Sequence, residues 1–290
     1  MKNKEIAVTF WGTRGSVPSP GKNKSKYGGN TSCVEVKLPN HQMIILDGGT
    51  GIRELGSSLL LREKKIRAHI FLSHYHWDHI QGLPFFSPAY HAGNKLTFLG
   101  ADYPEFPLEK ILSSQMESIH FPVKSSALSA DIDFMKLSIG NYSIDETEVT
   151  TLRTNHPGVN LSYSFTFDNR KIVYMTDNEL LPEIKKAESH INYQRDDFIR
   201  FIRGADILIH DAQYSDRDYR QKKGWGHSTW NETVKLAAEG EVKHLVLFHH
   251  DPDHNDDNVD SCVKECKEEL VKMNAPIKCS GAMEGKTITT

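Results

Sequence analysis

Cysteine is scarce in this sequence: 290 residues carry four, at positions 33, 262, 266 and 279. No two form a CxxC pair, and four thiols are too few to staple a chain this long, so a disulfide scaffold is excluded as the organising device. Cys262 and Cys266 can share one helix face and read as ordinary reduced thiols. Long apolar runs are missing as well. No stretch approaches the roughly 20 residues needed to cross a bilayer, and MKNKEIAVTFWGTRG has a charged start without the apolar segment of a signal peptide. The expectation is a cytoplasmic protein with no membrane partner. Charge of one sign is also absent. With 35 basic and 38 acidic side chains the formal net charge is -3, which gives no basis for broad electrostatic capture of nucleic acid and leaves room only for a local patch.

What remains is a folding chain. Hydrophobic residues make up 38% of it and fall in well-separated runs that can form a core, and two-sheet α/β architectures reach this size, so one domain over residues 1–290 is expected. AVTFWG (7–12), SCVEVKL (32–38) and MIILDGG (43–49) read as strands, the last ending in Asp47 and two glycines before a helix from about 52 to 62. An apolar strand over 66–72 leads into a polar loop and a short helix near 79–86. Further strands are expected at 95–100, 148–154, 161–167, 171–177, 205–213 and 244–251, and helices at 107–115, 230–239 and 257–272, with Ser228 or Thr229 as a cap. The turn-rich segment 14–31 reads as a loop. Strands and helices interspersed in each half point to two facing sheets with helices outside, the halves related by a crude internal repeat.

The fifteen histidines gather beside aspartates in a few segments. In HYHWDH, at the carboxyl end of the 66–72 strand, His74, His76, Asp78 and His79 offer four ligands within six residues, at the place where open α/β sheets tend to hold ligands. Imidazole with carboxylate suits zinc, manganese or iron, and Gly48 and Gly49 permit close backbone approach. Leaving four such groups buried without an ion would require each to find its own hydrogen bonds. Asp177 ends the apolar strand KIVYM, where a carboxylate with two oxygens can join two cations.

The HxHxDH segment resembles the signature of the metallo-β-lactamase superfamily, and VTFWGTRGSVP, YGGNTSCVEV, ILDGGTGIREL and LVLFHHD resemble its phosphodiesterase-like and tRNase Z-like hydrolases in their order along the chain. Residues 90–145 and the C-terminal tail are weakly covered. The resemblance implies a four-layer αββα sandwich with mixed sheets and a site for two divalent ions, zinc foremost, with manganese or iron also suited. It implies His74, His76 and His156 on the first ion, Asp78, His79 and His249 on the second, and Asp177 bridging both. His250 competes with His249, because strand alternation sends the two to opposite faces. Asp211 and His227 resemble the acid–histidine pair near the leaving group of tRNase Z-like enzymes, which usually have Glu where this chain has Asp211. A carboxylate on one imidazole nitrogen fixes the tautomer and prepares the other nitrogen to donate a proton. His210, the neighbour of Asp211, is expected to face elsewhere.

The expected catalytic set is therefore Asp78, Asp211 and His227. The expected reaction is hydrolysis of a cyclic nucleotide or other small phosphodiester, supported by Arg14, Lys22, Lys24 and Lys26 near the rim and by Trp77, Phe85, Phe86 and Trp225 as surfaces on which a base can stack. The alternatives are a tRNase Z-like RNA endonuclease, a lactam, ester or thioester hydrolase, and a non-catalytic metal-binding sensor. A basic, glycine-rich arm of the kind an extended RNA surface needs is not evident. A homo-oligomer is compatible with all of these.

Overall fold

The structure is a computed structural model, and residues 5–103, 106–180 and 194–290 are described. Contacts divide the chain into two compact units: Met1–Pro20, Gly28–Ser138 and Met283–Thr289 form one, Gly21–Tyr27 and Ile139–Ala282 the other, with Thr290.

The first unit holds a seven-stranded sheet of β1 (Ala7–Gly12), β2 (Cys33–Lys37), β3 (Met43–Leu46), β4 (Arg67–Phe71), β5 (Lys95–Ala101), β6 (Asp131–Leu137) and β14 (Thr287–Thr289), in the order β14-β1-β2-β3-β4-β5-β6. The first three pairings are antiparallel and the last three parallel. Every residue of β3 is buried, as expected for a strand covered on both faces, whereas the edge strand β6 is largely exposed. Helix α1 (Gly51–Arg62) lays Ile52, Leu55 and Leu59 along one face, and these join Ile45, Ile70, Leu72 and Phe86 in the core. Each such side chain contributes roughly 1.5–3 kcal/mol by leaving water. Two short helices, α2 (Trp77–Ile80) and α3 (Leu108–Ser114), complete the unit.

The second unit repeats the scheme. Strands β7 (Gly140–Ile144), β8 (Thr147–Arg153), β9 (Leu161–Phe167), β10 (Arg170–Met175), β11 (Ile207–Asp211), β12 (His244–Phe248) and β13 (Lys278–Gly281) lie in chain order across its sheet. Again the first three pairings are antiparallel and the last three parallel. Helices α4 (Arg195–Ile202), α5 (Asp216–Lys222), α6 (Trp230–Glu239) and α7 (Asp256–Lys272) belong to it. Thr229 caps α6, accepting from the Glu232 amide, and Asn255 with Asn258 forms a capping box on α7. The repeat expected between the halves is thus one of strand order, and β3 and β10 are its equivalent central strands.

Several elements depart from the sequence reading. The helix expected near 79–86 is a single turn, because Pro84 and Pro88 start two 3-10 turns at Leu83–Phe85 and Ser87–Tyr90 instead. Strands β6, β7, β13 and β14 and helices α4 and α5 were not anticipated. Strand β6 is largely exposed, the other three are short, and α4 and α5 have only two and one buried residues respectively, too few to set a period.

Candidate metal centre and acid–base pair

In the first unit the ligand-rich segment follows β4. His74 and His79 are buried and their ring centroids lie 4.2 Å apart, while the ring of the exposed His76 lies 4.5 Å from that of His74. Asp47, fully buried at the end of β3, organises the turn. Its carboxylate accepts from the Ser73 amide (2.7 Å), the Ser73 hydroxyl (2.9 Å) and His79 Nδ1 (2.8 Å). With Nδ1 engaged, His79 turns Nε2 to within 3.2 Å of Asp78 Oδ2, an oxygen that also accepts from the Ser16 amide at 2.8 Å. Backbone contact between the two turns is close: the Gly48 amide donates to the His79 carbonyl at 2.7 Å, and a Cβ on Gly49 would lie 2.3 Å from the Asp78 carbonyl oxygen.

In the second unit Asp177 is the hub. Its Oδ1 lies 3.3 Å from His249 Nε2, and its Oδ2 lies 3.8 Å from His156 Nε2 and 3.9 Å from His227 Nδ1. The Asp177 carbonyl accepts from Thr154 Oγ1 (2.8 Å) and Asn160 Nδ2 (2.7 Å), which fixes an αL backbone (φ 51°). Asp47 (φ 60°) and His249 (φ 60°) share that conformation, so three strand ends at the candidate residues are held in a region that non-glycine residues rarely occupy.

The imidazoles follow one rule. His156 Nδ1 donates to the Gly226 carbonyl (3.1 Å), His249 Nδ1 to Gln213 Oε1 (2.9 Å) and His227 Nδ1 to Asp211 Oδ2 (2.7 Å), as His79 does to Asp47. A partner on Nδ1 fixes the tautomer and leaves Nε2 as the ligating or proton-bearing atom, the arrangement in which metal-binding histidines are held. One atom each from Asp177, Asp211, His227 and His249, all buried, lie within 4.8 Å of one another. Of these, Asp177 and His249 offer a carboxylate and an imidazole suited to a hard or borderline divalent ion, whereas His227 Nδ1 is engaged by Asp211, and no thiol belongs to the group. The surroundings are acidic. Burial, then Asp211, Asp251, Asp177 and Glu179, push the Tyr214 phenol well above its ordinary range, so it stays neutral where its ring meets His227 edge-on at 5.6 Å.

A model of the beta-lactamase superfamily domain matches residues 42–250. The chain belongs to the metallo-β-lactamase superfamily. It is 25% identical to a ribonuclease Z of Picrophilus torridus, over 87% of this chain and 88% of that one. Among solved structures it is similar to the metallo-β-lactamase fold protein YhfI of Bacillus subtilis (TM-score 0.69, 21% identity, 99% of this chain and 100% of that one). It is also similar to the short form of human tRNase Z (TM-score 0.64, 20% identity, 97% and 98%). The expected fold is therefore the observed one, and as a metallo-β-lactamase superfamily member the protein is a metal-dependent hydrolase.

Within this superfamily protein, His249 rather than His250 joins the Asp177 group. The His250 ring turns away, with Nε2 donating to the Ala282 carbonyl (2.9 Å) and the ring edge-on to Tyr27. His210 also lies outside the group, its Nδ1 donating to the Asp211 carbonyl (2.6 Å). Two expectations need correction. Arg14 is fully buried and donates through Nε to the Gly28 carbonyl (2.8 Å), so it serves the 14–31 loop rather than a basic rim; Lys24 and Lys26 are tied to the Pro252 carbonyl and to Asp260. Phe86 is fully buried in the core and offers no stacking surface, unlike Trp77, Phe85 and Trp225. Sequence reasoning missed the supporting roles of Asp47, Gln213 and Glu179. Asp47 carried a signal, since a carboxylate between an apolar strand and two glycines mirrors Asp177, but Gln213 and Glu179 carried none. Among the described residues no helix is long and apolar enough to cross a membrane.

Proposed function

We propose that this protein hydrolyses phosphodiester bonds, with RNA as the substrate class, and that His227 protonates the departing oxygen. The observation that carries the reading is the buried 2.7 Å hydrogen bond from His227 Nδ1 to Asp211 Oδ2. A phosphodiester releases a strongly basic alkoxide that needs a proton as it leaves, whereas a thioester releases a thiolate that does not, so a positioned imidazolium favours the former. The shorter reach of Asp211, compared with the glutamate usual in tRNase Z-like enzymes, is met by the strand end on which it sits. The relatives named ribonuclease Z favour RNA over the cyclic nucleotide that the sequence first suggested.

On the superfamily resemblance, His74, His76 and His156 would hold one divalent ion and Asp78, His79 and His249 another, with Asp177 contributing its carboxylate to both. Zinc is the first choice, with manganese or iron also suited to these donors. When bound, such ions supply an activated water and offset negative charge on the phosphoryl oxygens. Asp78 accepts the proton of the attacking water, His227 gives one to the leaving oxygen, and Asp211 holds the His227 ring and stabilises its charged form.

The test is a substrate panel on the purified protein: bis(p-nitrophenyl) phosphate, a cyclic nucleotide, a precursor tRNA, a lactam and a thioester. Turnover of the phosphodiesters with preference for RNA is expected; brisk carbonyl hydrolysis with inert phosphodiesters overturns the reading. In His227→Ala, metal content stays near the wild-type value while poor-leaving-group diesters slow about 10²- to 10⁴-fold and good ones much less. Equal slowing of both sets removes His227 from the role of proton donor.

A further inference from the structure

Trp225 stands two residues before His227 and is 59% exposed. A single exposed aromatic is unremarkable in itself. The way the chain holds this one is not. Its neighbours Gly224 (φ 81°) and Gly226 (φ 86°) are both in the left-handed region, and the buried carboxylate of Glu179 accepts from both of their amides, at 2.8 and 3.1 Å. The same carboxylate accepts from Tyr219 Oη at 2.7 Å, and the Trp225 amide donates to the Lys222 carbonyl at 3.2 Å. Burying a carboxylate is costly unless it is fully hydrogen-bonded, and here its partners are the backbone on either side of one exposed indole and the helix before it. A residue left in water for want of anywhere to pack needs no such clamp.

Four cations belong to α5 and the residue that follows it. Lys222 turns inward to Asp251 (2.9 Å) and over the Tyr214 ring (4.6 Å), where it holds the protein together. Arg217 and Arg220 share one face of α5, Lys223 follows at its end, and all three are exposed. An exposed indole on a clamped backbone, tied through Gly226 to the loop that carries His227 and preceded by exposed cations on α5, has the composition of a single-strand binding surface: bases stack on the ring and phosphates meet the cations. A mononucleotide has no flanking phosphates for cations spread along a helix, so the arrangement suits an oligonucleotide.

We infer that Trp225 is a stacking platform for a nucleobase of single-stranded RNA, with Arg217, Arg220 and Lys223 receiving flanking phosphates, so that the bond served by His227 is chosen by its neighbouring base. The inference rests on the phosphodiester reading of the same site. Two measurements test it separately from that reading. Binding of a fluorescein-labelled single-stranded RNA is followed by anisotropy: Trp225→Ala raises Kd about tenfold, Trp225→Phe restores it to within about threefold, and the wild-type Kd rises steeply with salt. Turnover is compared on an RNA oligonucleotide and on methyl p-nitrophenyl phosphate, which has no base. In Trp225→Ala the ratio of the two kcat/KM values falls about tenfold, through KM for the oligonucleotide. An unchanged RNA Kd, or equal falls on both substrates, overturns the platform while leaving phosphodiester hydrolysis intact. A wild-type enzyme that cleaves neither substrate defeats the functional reading instead, and the anisotropy result then still decides whether Trp225 binds RNA.

Discussion

Asp47 illustrates how one side chain sets several others. It is fully buried, sits at φ 60°, and accepts from Ser73 and His79 at once. Asp47→Ala leaves these donors unsatisfied and should cost about 3 kcal/mol of stability in chemical denaturation. It should also weaken divalent metal binding about 10- to 100-fold by calorimetric titration, since His79 loses its orientation. Asp47→Asn, which tolerates the same backbone conformation, should do less on both counts. His244 gives a pH dependence. Burial first, and then the nearby Lys278, hold its imidazole down from 6.5 to about 4. The folded state therefore binds this proton less readily than the unfolded chain, so its contribution to stability is present above pH 6.5 and is lost as pH falls through about 4. Across that window the loss amounts to roughly 3 kcal/mol, and His244→Gln should flatten that part of the stability–pH curve, measured by urea unfolding.

At the scale of elements, the loop from Lys222 to His227 is held by glycine backbone conformations and by the Glu179 carboxylate. Gly226 is required twice over: its φ is 86°, and a Cβ there would lie 2.1 Å from His156 Nδ1 and 2.7 Å from Pro157 Cδ. Gly226→Ala should displace the His156 ring, lowering the metal content of the purified protein and cutting turnover at least tenfold, whereas the exposed Gly224→Ala should cost mainly its backbone strain. None of this was legible in GWGHST, where the glycines mark a turn without saying what approaches it. The candidate segment 74–79 stood out because four histidine and aspartate residues crowd the end of an apolar strand, and α6 because its Thr cap and apolar period agree. By contrast, Arg14 misled: a basic residue in a turn-rich segment ordinarily meets water, but here it is buried with the Gly28 carbonyl accepting from its Nε and the Glu284 carboxylate close enough to feel its charge. The choice between His249 and His250 needed the left-handed turn at residue 249, which alternation along a regular strand does not foresee.

Over the whole molecule the two sheets share one strand order and one sequence of antiparallel and parallel pairings. Asp47 and Asp177 end the equivalent strands β3 and β10 in the same αL conformation, one supporting a histidine and the other proposed to bridge ions. A chain that gathers this many buried acids and imidazoles should depend on its ions for stability. Chelation followed by scanning calorimetry should lower Tm by on the order of 10 °C, with recovery on adding back zinc or manganese, if free metal exceeds its Kd about a thousandfold. An unchanged Tm would separate folding from metal binding. The pairing of β14 with β1 carries a different consequence. Ala7 stands opposite Thr289, Thr9 opposite Thr287, and Glu284 holds the Asn30 amide and side chain, so strands far apart in sequence lie side by side. A permuted gene that joins tail to head through a short linker and opens new ends at the exposed hairpin turn Asp168–Asn169 should yield a protein that keeps the parent's circular dichroism spectrum.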